Sequence, residues 1–265
     1  LYNKLLVPKG FRMIDPTTSY YKRKNRQNML WRPFDRWKQQ WNARKTIRFI
    51  KQKVDYIVTD TTENDYQYLM RYYPELQSKP WKDFFYYPLD IILGKELMNS
   101  EVCGNSIMIG NSASGTNNHE YVMRILSKLD IGSRRVIVPL SYSGKKGYVD
   151  HVLQSGRLLL GENFSPLLDF MPLDEYNRLQ SDVSVALFGN WRQEGNIIVA
   201  LYLGAKVFLS HVNPVYEWAQ SHGLTVYELE KLSQKELDTP LDRETKLKNR
   251  QILLSLYTKE RMYRL

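Results

Sequence analysis

Cysteine is almost missing from the 265-residue chain: Cys103 stands alone, which excludes an intramolecular disulfide and any cysteine-based metal cluster. Nothing points to an oxidising compartment, and a cytosolic setting is expected. The histidines, His119, His151, His211 and His222, are scattered without an H-E-x-x-H spacing, so no resident metal is expected. No aspartate pair has the D-x-D spacing either. If the chain handles an anionic leaving group, helix ends and basic side chains must neutralise it. The longest apolar stretch, Ile197 to Leu209, includes Lys206 and falls short of the roughly 20 residues a bilayer span requires. No basic-then-apolar leader follows Leu1, so no signal peptide is expected, and the first residue not being Met suggests missing upstream sequence. Internal repeats and low-complexity tracts are also lacking.

What is present is the composition of an ordered globular protein, 43% hydrophobic and 25% charged, enough for one large domain or two modest ones. The formal charge of +10 favours anionic partners. It is concentrated: residues 22–53 hold twelve Lys or Arg and one acid, Asp35, so the rest of the chain is nearly neutral. Within that segment Trp31, Phe34, Trp37, Trp41, Ile47, Ile50 and Val54 recur at helical spacings. Two readings stand: a helix that packs its tryptophans inward, or an interfacial helix lying on anionic lipid.

Val54 to Val58 reads as a short strand, followed by a helix from Thr61 or Thr62 to Tyr72 that Pro74 stops. Gly94 to Gly104 is the expected boundary zone. Beyond it, Ser106 to Ile109, Arg135 to Pro139, Arg157 to Leu160, Val183 to Phe188, Lys206 to Leu209 and Leu224 to Tyr227 are strand-like. Helical patterns fit Asn118 to Leu129, Tyr148 to Gln154, Leu173 to Ser181, Asn196 to Leu203 and Pro214 to Ser221. This β-α rhythm predicts an α/β fold with a Rossmann-like, doubly wound parallel sheet over residues 104–240, preceded by a region 1–103 and followed by a terminal helix in 241–265.

In such sheets ligands bind where strands end, so the loops after strands carry the information. Gly110 to Glu120, GNSASGTNNHE, offers glycine and small hydroxyl residues before a helix, a setting in which backbone N–H groups approach phosphate. Thr116 follows Gly115 where a P-loop has Lys, which disfavours an ATPase; the alternative is an ordinary turn with Asn118 as helix cap and His119 as a solvated first-turn residue. Ser141 to Gly147 could close over a ligand or be a solvated basic loop. Phe188 to Asn196, FGNWRQEGN, places Arg192 for bidentate phosphate contact and Gln193 and Glu194 for sugar hydroxyls, next to a helix start.

The blocks IMIGNSASGTNNHEYVMRIL, RVIVPLSYSG, FMPLDEYNRLQSDVSVALFGNWRQEGN and ALYLGAKVFLSHVNPVYEW, occurring in order, resemble the bacterial TDP-N-acetylfucosamine:lipid II N-acetylfucosaminyltransferase (4-α-L-fucosyltransferase) family over roughly Val54 to Glu230. The resemblance implies a GT-B architecture and an inverting, metal-independent glycosyltransferase that uses a nucleoside-diphosphate sugar and a polyprenyl-diphosphate-linked acceptor in bacterial surface glycan synthesis. No cofactor is implied, the nucleotide sugar being a substrate. Gly110, Asn111, Ser112, Asn118, His119, Arg192, Gln193, Glu194, Gly195 and Asn196 would then cradle the donor, with Tyr142 over it and Phe170, Met171 and Pro172 flanking the base. The family's N-terminal Rossmann strands are largely absent before Leu1, so only a remnant of the acceptor domain is expected here, and no catalytic base is named. The protein is expected on the inner face of the cytoplasmic membrane, held peripherally through residues 22–53, with no nucleic-acid partner. A nucleic-acid binder would account for those residues alone; a nucleotide-sugar epimerase would account for the loops without a lipid acceptor.

Overall fold

The computed structural model describes Leu5, Tyr20 and residues 32–59, 63–82, 88–189 and 193–263, and the chain divides into two compact units, Leu1–Tyr86 and Tyr87–Leu265.

In the first unit a long helix α1 (Arg32–Lys53) carries Pro33 in its first turn, where a missing N–H costs nothing, and Lys51 and Lys53 in its last, where they complement the helix dipole. A two-stranded parallel sheet, β1 (Ile57–Val58) and β2 (Trp81–Lys82), and helix α2 (Asn64–Tyr72) follow it. The expected strand from Val54 thus shrinks to two residues, because Val54 still donates its N–H to Ile50 O at 3.2 Å and belongs to the end of α1. Leu5, Ala43, Ile50, Ile57, Leu69, Tyr73 and Leu76 form the core, with Ile47 and Val54 packed against it.

The second unit is built on a six-stranded parallel sheet. Its strands are β3 (Ser106–Ile109), β4 (Val136–Pro139), β5 (Phe164–Leu167), β6 (Val183–Phe188), β7 (Lys206–Leu209) and β8 (Tyr227–Glu228), in spatial order β5-β4-β3-β6-β7-β8. Every residue of β3, β4 and β7 is buried, as expected of parallel strands covered on both faces. The helices are α3 (Leu89–Leu97), α4 (His119–Leu126), α5 (Lys146–Leu160), α6 (Leu173–Ser181), α7 (Glu194–Leu203), α8 (Pro214–Ser221), α9 (Gln234–Asp238), α10 (Arg243–Leu256) and α11 (Lys259–Met262). Starting at β3, the chain works outward to β5, returns to pair β6 with β3, and works outward again to β8. The reversal between β3 and β6 is the topological switch point, the place in such sheets where a crevice opens at the carboxyl ends of the strands.

One expected strand is corrected. Arg157 to Leu160 is the last turn of α5, which ends where Gly161 adopts φ +55°. The strand comes next, as Phe164–Leu167. Pro166 hides it from pattern reading, yet proline is tolerated because β5 is an edge strand that pairs with β4 alone. The strand expected at Leu224 to Tyr227 is confined to Tyr227–Glu228. The single tail helix is broken at Tyr257, after which the Thr258 side chain accepts from Arg261 N at 3.4 Å and starts α11. No helix among the described residues is long and apolar enough to cross a membrane.

Candidate active site at the switch point

The turn leaving β3 is held by a buried asparagine. Asn117 Oδ1 accepts from Asn111 N at 3.0 Å, while its Nδ2 donates to Ser112 Oγ and Ser114 O, both at 3.3 Å. That side chain occupies the space a Cβ would need at Gly110: a methyl there would sit 2.5 Å from Asn117 Oδ1 and 3.1 Å from His119 Nε2, on a residue whose φ is already +69°. Only glycine fits. The turn ends at Asn118 in the left-handed conformation (φ 51°, ψ 43°), whose side chain donates to Thr116 O at 3.2 Å instead of accepting from the first turn of α4. The capping role open to Asn118 on sequence grounds is therefore not realised. The amides at the start of α4 meet the carboxyl end of β3 without a side-chain cap, and they carry the positive end of the helix dipole.

The loop leaving β6 closes against this turn. A Cβ on Gly189 would lie 2.3 Å from Asn117 O, so the backbones touch at a second glycine, and Asn213 Nδ2 donates to Gly189 O at 2.8 Å from the next loop along. Residues 190–192 lie outside the described residues, and Arg192 with them. Gln193, buried and left-handed at φ 81°, precedes α7. Two helix starts, α4 and α7, therefore flank the crevice.

His119 is not the solvated residue that its position in a polar loop allows. It is fully buried, its Nδ1 pairs with Tyr148 Oη at 3.0 Å, and desolvation lowers its pKa to about 3, so the ring is neutral at physiological pH. Its Nε2, next to Gly110, has no hydrogen-bond partner among the described residues. Leaving such a group unpaired costs about 1–3 kcal/mol.

Tyr142 joins the same turn. Its carbonyl accepts from Ala113 N at 2.9 Å, and its phenol, raised above the usual tyrosine range by burial, also bonds the Ser112 side chain. Glu194 and the exposed Gly195 open α7, but Asn196 turns its Nδ2 to Tyr176 Oη at 2.5 Å, away from a ligand role in this arrangement. Burial drives the Tyr176 phenol well above its ordinary range and keeps it a neutral donor, directed at Met108 Sδ. Phe170 stands 84% exposed beyond β5, two strands from β3, with Met171 half-buried and Pro172 at the start of α6.

Two features escaped sequence reading. Asn117 lay inside the right loop, but nothing in its spacing set it apart from its neighbours. Glu230, beyond β8, accepts from Ser210 Oγ at 2.6 Å, Tyr121 Oη at 3.2 Å and His211 N at 3.1 Å. Burial alone would raise its carboxyl, but the Ser210 and backbone hydrogen bonds outweigh that and hold it below the usual range, ionised at the carboxyl edge of β7 and β8. His211, Glu228 and Glu230 also bring ligand atoms within 4.8 Å of one another. Lys231 already compensates Glu228 at 2.7 Å, and the Glu230 oxygens are occupied, so the trio is satisfied as protein. A polar cleft lined by Asn105, Asp130, Arg134, Gln234 and Asp238 opens near the amino ends of β3 and β4, at the opposite end of the sheet from the switch point.

The sequence profile described as 4-alpha-L-fucosyltransferase, glycosyl transferase group 56, matches residues 35–257. The chain belongs to that family. Solved structures of similar fold include a glycosyltransferase from Rickettsia africae (TM-score 0.61, 12% identity, 94% of this chain and 80% of that one). Sucrose-phosphate synthase from Thermosynechococcus elongatus gives a TM-score of 0.60 at 13% identity over 82% of this chain and 59% of that one. An α,α-trehalose 6-phosphate synthase from Burkholderia multivorans gives 0.57 at 11% over 83% and 60%. The fold of this fucosyltransferase-family member is thus that of GT-B glycosyltransferases, and it spans less than two thirds of the length of two of these three proteins. Glycosyl transfer is the chemistry by which that family is described.

Proposed function

We propose that the chain transfers a sugar of the N-acetylfucosamine type from a nucleoside diphosphate, TDP by resemblance, to a polyprenyl-diphosphate-linked acceptor, with inversion and without a metal, at the cytoplasmic face of the membrane where bacterial surface glycan is assembled. The observation that carries this reading is the start of α4, uncapped by Asn118 and abutting the two glycines Gly110 and Gly189 at the switch point. An acceptor hydroxyl attacks the anomeric carbon as the bond from that carbon to the phosphate oxygen breaks. The electron pair leaves on the nucleoside diphosphate, and the hydroxyl proton passes to a base that this reading does not assign. The negative charge that develops meets the amides of α4, the start of α7 and the Arg192 guanidinium. Neutral His119 adds no charge of its own, and Tyr142 braces the turn through Ser112. The nucleobase takes the exposed rings of Phe170 and Pro172 and the half-buried chain of Met171. No cofactor enters.

Isothermal titration of TDP and UDP into the wild type and Arg192→Ala tests the placement. A loss of about 1.5–3 kcal/mol is expected for a charge-assisted contact. Unchanged affinity in a folded variant overturns it.

A further inference from the structure

We propose that the outward face of α1 is a docking surface for an anionic phospholipid bilayer, an inference that rests on the reading of the acceptor as lipid-borne. Trp37, Trp41, Lys45, Arg48 and Gln52 succeed one another at spacings of four, four, three and four, so they form one stripe along a helix of 3.6 residues per turn. The core stripe is on the other side: Ala43 and Ile50 are buried, and Ile47 and Val54 pack with them. The tryptophans therefore do not share a face with the isoleucines. Trp37 is 62%, Trp41 47% and Phe49 60% exposed.

Between Trp37 and Lys53 there are six basic residues, all exposed, and no acid. Large aromatic rings interleaved with cations that pair with no acid among the described residues match a bilayer interface, where indole sits at headgroup depth and lysine and arginine meet lipid phosphate. The same charges would suit a nucleic acid, but Lys45 Nζ lies 3.5 Å from the Trp41 ring centroid and covers one of the faces a base would stack on. That cation is also placed at the depth of the lipid phosphates when the ring is inserted. Because the stripe faces away from the core, it can be altered without removing core contacts.

The test uses the full chain with vesicles of phosphatidylcholine alone and with vesicles in which about a third of the lipid is phosphatidylglycerol. Co-sedimentation is expected to be at least about tenfold stronger on the anionic vesicles and to fall steeply with salt. Lys45→Glu/Arg48→Glu should lower it about tenfold or more, and Trp41→Ala/Phe49→Ala should lower it independently, each with an unfolding midpoint and TDP affinity like those of the wild type. Equal binding to neutral vesicles, or anionic-vesicle binding unchanged in both variants, overturns the proposal. So does a single-stranded oligonucleotide that binds the wild type, loses affinity in the charge-reversed variant and leaves no vesicle binding. Transfer to a detergent-dispersed acceptor is measured in parallel. If it persists while docking is lost, the surface is supported and the transferase reading stands. If it is missing from the wild type while docking persists, the reading of the reaction fails and the surface stands.

Discussion

Helices α1 and α7 are both rich in large apolar side chains and meet opposite fates. Every residue of α7 from Ile197 to Leu203 is buried, because it lies against β6 and β7 on one side and α10 on another. Helix α1 buries one stripe and leaves two tryptophans and a phenylalanine in solvent. Side-chain type sets what burial is worth; the number of neighbouring elements sets how much burial happens. For α7 the apolar residues contribute stability, whereas Trp37, Trp41 and Phe49 of α1 contribute little to it.

The largest expected effect sharpens that contrast. Phe188→Ala, at a fully buried position of β6 beside α7, should destabilise by about 3–5 kcal/mol in urea unfolding, whereas Trp41→Ala should stay within about 0.5 kcal/mol. A large loss for Trp41→Ala would put that ring in a core after all.

A second, smaller effect concerns the glycine contact at the switch point. Gly110→Ala must place a methyl 2.5 Å from Asn117 Oδ1 at a positive φ, so it should cost about 1–3 kcal/mol in stability and weaken TDP binding measured by calorimetry. Asn117→Ala, which vacates the space but frees the turn, should restore part of the stability of the double variant and none of its binding.

His119 offers a pH signature. Its folded pKa, lowered to about 3, lies below the unfolded value of 6.5, so below about pH 6.5 the unfolded chain takes up a proton that the native state refuses. Its contribution to stability is complete above that pH and declines as pH falls toward 3, by up to about 1.4 kcal/mol per pH unit. His119→Gln should flatten that part of the stability profile; an unchanged slope would show that other groups carry it.

The smallest expected effect is on metal. Transfer activity of the full chain should persist in excess EDTA, since the proposed charge stabilisation uses amides and Arg192. Loss on chelation with recovery in Mg²⁺ or Mn²⁺ would reassign the charge stabilisation to a cation and bring His211, Glu228 and Glu230 into the chemistry.

The central strands were legible because a parallel strand covered on both faces is predominantly apolar: Ser106–Ile109, Val183–Phe188 and Lys206–Leu209 fall where the pattern places them. The edge was not. Phe164–Leu167 carries a proline that the interior of a central strand would reject, while Arg157 to Leu160, with three leucines, continues a helix that only Gly161 terminates. At the candidate site, the Gly110 loop could be read from its glycine and small residues after a strand. That His119 would be buried and neutral could not, since a histidine in a polar loop is as compatible with solvent as with Tyr148. Asn196 and Tyr176 are 20 residues apart, and no local pattern announces that they meet.

The sequence by itself determined the order of β-α units, the glycines at the ends of two strands and the concentration of positive charge in one segment, because period, backbone permissiveness and net charge are local properties. Tertiary structure decided which strands became neighbours, that Gly110 and Gly189 share Asn117 as a contact, and that the tryptophans of α1 face away from its isoleucines. Those depend on which surfaces the remaining chain covers. A helical stripe can be counted in a sequence, but the side of it that meets solvent is fixed only when other elements have taken their places.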